Sequence, residues 1–64
     1  MAETIIRIAQ VRQITGLPRS SIYLRISEGT FPKQIRLSER SVGWVKSEII
    51  GWVQSKIDEN RSGK

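Results

Sequence analysis

Apolar residues recur at helical spacing in three stretches of the chain. Ile8, Val11 and Ile14 stand three residues apart, which predicts a first helix from about Ala9 to Thr15 with Arg12 and Gln13 facing outward. Gly16 ends it, because glycine takes the left-handed conformation at low cost. A second helix is predicted from Pro18 or Arg19 to Glu28, with Ile22 and Ile26 as its apolar side. Proline is tolerated at a helix start, Gly29 supplies the stop, and Pro32 prevents resumption. A third helix, from about Lys46 to Asp58, carries Val45, Ile49, Trp52, Val53 and Ile57 on one stripe. Gly51 within it costs on the order of 1 kcal/mol relative to alanine, a cost that close packing would explain.

Between the second and third helices the period changes. Ile35, Leu37, Val42 and Trp44 alternate with polar or small residues, as half-buried strands should. Strands are expected at Lys33 to Leu37 and Ser41 to Val45, around a Ser38-Glu39-Arg40 loop. Gly43 marks a bulge or a close approach. Ile5 to Ile8, apolar but for Arg7, read as a short extended lead-in. Phe31, Trp44 and Trp52 read as core residues of a small domain rather than as stacking platforms for single-stranded bases. The polar Asn60-Arg61-Ser62-Gly63-Lys64 end is expected to fray, leaving a core of about residues 6–57 and a flexible tail over 59–64. No repeat or second domain is visible. The expectation is one domain over residues 1–64, mainly α with a small β-hairpin (α+β), in which a helix-turn-helix is followed by a wing.

Composition narrows the function classes. Sixty-four residues leave little core to spare. The chain has no cysteine and no histidine, so it lacks disulfides, thiolate metal sites and the commonest general base. No acid pair is suggested by spacing, and neither an enzyme nor a cofactor is expected. No apolar run approaches the roughly 20 residues of a bilayer span, and Met1-Ala2-Glu3-Thr4 lacks the basic start of a secretory signal. A cytoplasmic protein is expected. Net charge is +5, unevenly placed: residues 7–46 hold eight bases against two acids, whereas residues 47–64 hold three of each. A basic body with a neutral C-terminal helix fits either a polyanion-facing surface or a solvated basic surface.

The second helix begins Arg19-Ser20-Ser21, and this end carries the functional reading. Basic and hydroxyl groups at the start of a recognition helix reach phosphates and base edges; the same serines also serve ordinary helix-start chemistry. Tyr23 can pack beside Ile26 while its hydroxyl reaches a phosphate. Arg25 fits a phosphate contact or an ion pair with Glu28. Lys33, Arg36, Ser38, Arg40 and Ser41 would let the wing grip flanking phosphates or a minor groove, and the lysine and arginines would equally protect an exposed strand edge.

Several spaced motifs resemble one known group. Val11, Thr15-Gly16-Leu17, Arg19-Ser20-Ser21-Ile22-Tyr23, Glu28-Gly29-Thr30-Phe31-Pro32, Val42-Gly43-Trp44, Ser47-Glu48-Ile49 and Trp52-Val53 occur in the order found in the AlpA family of prophage regulators. The resemblance covers about residues 6–57. It implies a winged helix-turn-helix related to phage excisionases and the MerR DNA-binding domain. It also implies a cytoplasmic protein that binds double-stranded DNA and activates a prophage integrase gene or assists excision. Two departures stand out: Pro18 replaces the family's capping serine, and Leu24-Arg25 replaces an arginine followed by an apolar residue. Leu24 lies nearly opposite Ile22, on the side expected to face DNA, where it would touch a thymine methyl or a protein. Dimeric or tandem binding on DNA is expected of so small a reader. A different class of function, a protein-interaction module that binds an integrase or regulator through Ile50 and Leu24, remains open.

Overall fold

Thr15 builds the turn on which the fold depends. Its hydroxyl donates to the Val11 carbonyl at 2.8 Å and accepts the Leu17 N–H at 3.2 Å. Gly16 then takes φ 74° and returns its N–H to the Arg12 carbonyl at 2.8 Å. This left-handed residue closes the first helix, α1 (Ile8–Thr15), one residue longer at its start than the sequence pattern suggested. After Pro18, α2 spans Arg19–Glu28. It ends in a two-bond motif: the Thr30 N–H reaches the Arg25 carbonyl and the Gly29 N–H, at φ 80°, reaches Ile26. The computed structural model describes residues 3–62. Met1-Ala2 and Gly63-Lys64, on which parts of the leader and tail readings fall, lie outside the described residues.

The extended lead-in is a strand. Ile5–Ile6 forms β1, which pairs antiparallel with β3 (Val42–Val45), and β3 pairs on its other side with β2 (Ile35–Arg36). The sheet order is therefore β1-β3-β2. Both wing strands lie within the expected ranges, and β2 is much shorter than expected. The register also corrects the expected alternation. Ile6 opposes Trp44, Arg36 opposes Val42, and Ile35 opposes Gly43. Opposed residues share a face. Val42, Trp44 and Ile6 thus face the helices, while Ile35 and Leu37, 40% and 46% exposed, lie on the outer face. Gly43 sits beneath that outer layer. A β-carbon there would stand 2.5 Å from Ile5 Cγ2 and 3.1 Å from both the Ile6 carbonyl oxygen and Leu37 Cδ1. The close approach read from the sequence is the reason for this glycine.

The final helix, α3 (Lys46–Ser62), follows β3 directly. The Lys46 N–H donates to the Thr4 carbonyl and Ser47 Oγ to Glu3 Oε1, tying its start to the residues that lead into β1. It outlasts the expected end at Asp58. Gln54 bonds to Asp58, Asn60 bonds to the Lys56 carbonyl, and Lys56 pairs with Glu59 at 3.5 Å, and the helix runs through Ser62. Ile57, placed on the apolar stripe, is 37% exposed. Gly51 has open space around it, so packing does not explain it.

Ile6, Val11, Ile22, Phe31, Trp44 and Ile49 form the buried core, with one or more residues from β1, α1, α2, β3 and α3. Phe31 meets the Trp52 ring edge-on at 4.8 Å, and Trp52 Nε1 donates to the Thr30 carbonyl at 2.8 Å. Both tryptophans are thus packing residues. The result is an α+β fold, three helices with a small antiparallel sheet, of winged-helix form.

Candidate nucleic-acid interface

The N-terminal end of α2 is open. Pro18 occupies the capping position with φ −70° and ψ 159°, and no side chain caps the helix. The first backbone N–H groups of any helix lack intrahelical partners and carry the positive end of its dipole. Arg19 and Ser20 are exposed and Ser21 is half-buried. A formal cation, two hydroxyls and unsatisfied N–H groups therefore share one helix end.

Arg19 is held toward the sheet. Its guanidinium lies over the Tyr23 ring at 5.8 Å, and that ring meets Trp44 of β3 edge-on at 6.3 Å. The contact chain runs from the start of α2 to β3, the middle strand of the sheet. Arg36 projects from the same, helix-facing side of the hairpin, because it opposes Val42. At the tip, the Leu37 and Ser38 N–H groups both donate to the Ser41 carbonyl, and the Ser41 N–H returns to Ser38 at 3.4 Å. The turn satisfies its own backbone and leaves Ser38 and Arg40 exposed, with Ser41 half-buried. Lys33 is exposed on the loop between α2 and β2.

Arg25 turns elsewhere. Its guanidinium lies over the Trp52 ring at 5.8 Å, opposite the outward face of α2, and its Nε is buried without a partner. Lys56 takes a second place at that ring, 5.5 Å from the centroid. Arg25 lines a shallow concavity of about 630 Å³ with Leu17, Val53, Lys56 and Arg61. Its environment is thus an aromatic face and α3, not Glu28. Leu24, by contrast, is 58% exposed on the outward side of α2.

One cation was passed over as a site residue by reasoning from sequence. Arg12, exposed in the last turn of α1, borders a second shallow concavity with Gln13, Gly16 and Pro18, beside the start of α2. Its outward position was legible from the spacing of Val11 and Ile14. Its nearness to the α2 start became visible only with the Gly16 turn in place.

Comparison with known proteins gives this geometry a family. Residues 4–57 match the model of the family described as prophage CP4-57 regulatory protein (AlpA). The chain belongs to the AlpA family. It is 36% identical over 61 positions to the DNA-binding transcriptional activator AlpA of Escherichia coli (strain K12), covering 86% of this chain and 87% of that protein. It is equally 36% identical over 61 positions to the ORF88 protein of Enterobacteria phage P4, covering 95% of this chain and 69% of that one. The two departures from the AlpA pattern, Pro18 and Leu24, are both exposed, one at the open start of α2 and one on its outward side. No helix among the described residues is long and apolar enough to cross a membrane.

Proposed function

We propose that this AlpA-family chain is a transcriptional regulator that binds double-stranded DNA in a sequence-specific manner. In this reading α2 enters the major groove with Arg19, Ser20, Ser21 and Tyr23, and Lys33, Arg36, Ser38, Arg40 and Ser41 of the wing and its approach hold flanking phosphates. Arg12 adds a phosphate contact from α1, which crosses the backbone in such docking. The observation that carries the reading is the Arg19–Tyr23–Trp44 chain, which aligns the uncapped basic end of α2 with the helix-facing side of the wing. Arg25, engaged with Trp52, contributes through stability rather than through contact with DNA.

The role that fits is control of transcription, since the Escherichia coli relative is a transcriptional activator, with a prophage integrase gene as the target that the family resemblance implies. Use of the same DNA grip in excision is the second role the resemblance offers. Because one copy of so small a domain covers a short site, two or more copies on adjacent sites supply the needed specificity. Titrating duplex DNA at about 50 and 200 mM salt tests the binding itself, because neutralising phosphates makes affinity fall steeply with salt. Binding without salt dependence, or none at all, removes this reading. Footprinting then separates the roles: a single protected site beside a promoter indicates regulation, and several spaced sites with bending indicate excision.

A further inference from the structure

We infer that Leu24 reads the 5-methyl group of a pyrimidine in the major groove. This rests on the DNA-binding reading above and adds the chemistry by which bases are chosen. Ser20, Leu24 and Ser27 stand at i, i+4 and i+7, a spacing that forms one row on a helix. All three are exposed, and Leu24 at 58% is the most exposed large apolar side chain among the described residues. Arg19 and Tyr23 lie on the sheet side of the row and Arg25 turns onto Trp52, so the one long polar side chain next to Leu24 on this face is the exposed Glu28, a turn further on at the end of α2. Ser27 Oγ donates to the Leu24 carbonyl at 2.7 Å, so its hydroxyl is engaged by its own helix.

The row therefore holds no guanidinium, amide or carboxylate, the groups that make paired hydrogen bonds to guanine, adenine or cytosine. Its centre is a branched hydrocarbon between two small residues, which let the helix approach closely. The one apolar group on the major-groove edge of ordinary base pairs is the thymine methyl. A methylated cytosine presents the same group at the same carbon. Covering Leu24 with that methyl removes apolar surface from water on both partners.

The test starts with duplexes enriched from a randomised pool by retention on the full chain. Each thymine of the enriched sequence is replaced singly by deoxyuridine, and each cytosine singly by 5-methylcytosine. Loss of one buried methyl is expected to weaken binding about fourfold at one thymine position and not at the others. In Leu24→Ala that difference disappears while the salt dependence stays as in the parent. A fourfold gain on methylating one cytosine, abolished in Leu24→Ala, assigns the contact to 5-methylcytosine instead. Flat scans in the parent, or a methyl effect that persists in Leu24→Ala, overturn the inference and leave DNA binding intact, with Leu24 then facing a second copy or another protein. Failure to enrich any duplex overturns the DNA-binding reading itself.

Discussion

The Tyr23 ring stands edge-on to the buried Trp44 indole, 64° between planes and 6.3 Å between centroids. This pair fixes α2 to the middle strand of the sheet, and Arg19 rests on its outer member. Removing the ring takes away both the packing and the platform. Tyr23→Ala is expected to destabilise the fold by about 2–3 kcal/mol, read from urea unfolding. Tyr23→Phe keeps the ring and is expected to stay within about 0.5 kcal/mol of the parent. Any DNA affinity lost by Tyr23→Phe then belongs to the hydroxyl. A parent-like midpoint for Tyr23→Ala shows that other contacts hold α2 to the sheet.

Two glycines in helical contexts are expected to respond to alanine with opposite signs. Gly29 has φ 80° and closes α2, where any side chain is strained. Gly29→Ala is expected to cost about 1–2 kcal/mol. Gly51 lies inside α3 with open space around it. Gly51→Ala removes backbone freedom from the unfolded chain without a clash, and is expected to stabilise by about 1 kcal/mol. Thermal melts of the two variants side by side check the pair. A destabilised Gly51→Ala points to a contact made by that face in solution.

Gly43 tests the sheet. Alanine there meets Ile5 Cγ2 and Leu37 Cδ1, which can move, and the Ile6 carbonyl, which cannot move without disturbing the β1–β3 pairing. Gly43→Ala is expected to destabilise by about 1–3 kcal/mol. Shortening both Ile5 and Leu37 in the same chain relieves only the side-chain part, so Gly43→Ala with Ile5→Ala and Leu37→Ala should not return to the stability of the chain with those two truncations alone. Full recovery means that the backbone contact gives way.

Much of this architecture is legible in the amino-acid sequence. Glycine and proline punctuated α1 and α2 almost to the residue, because Gly16 and Gly29 are stops of known chemistry. The spacing of Val11, Ile22 and Ile49 identified buried positions. The spacing of apolar residues could not reveal which face of the hairpin Ile35 and Leu37 would take. Period-two alternation is the same on either side of a sheet, and only the pairing of Ile35 with Gly43 decides between them. The extended form of Ile5–Ile6 is read from its apolar residues, but its pairing is not, since its partner β3 lies some forty residues on. At the candidate interface, the exposure of Arg19, Ser20 and Leu24 followed from the helical wheel, whereas the commitment of Arg25 to Trp52 is a tertiary fact absent from local spacing.

The separation of Arg36 from Ile35, and of Arg19 from Arg25, gives the sharpest test of the proposed surface. Residues of one strand and of one helix project to different sides, so each cation has an internal control. If Arg36 and Arg40 each neutralise a phosphate, alanine at either weakens binding to all sequences alike and reduces the magnitude of the log–log salt slope by about 0.9. Ile35→Ala, on the outer face, should leave the slope unchanged. Arg19→Ala should cost about 1–3 kcal/mol on the preferred sequence if the guanidinium reaches a guanine, and less on other sequences. Arg25→Ala loses its place over Trp52 and should lower stability by about 1 kcal/mol while the salt slope holds. Fluorescence anisotropy across a salt series, paired with urea melts of each variant, reads both quantities. A slope that falls for Arg25→Ala and holds for Arg36→Ala would move the DNA to the α3 side of the molecule and reverse the assignment of its faces.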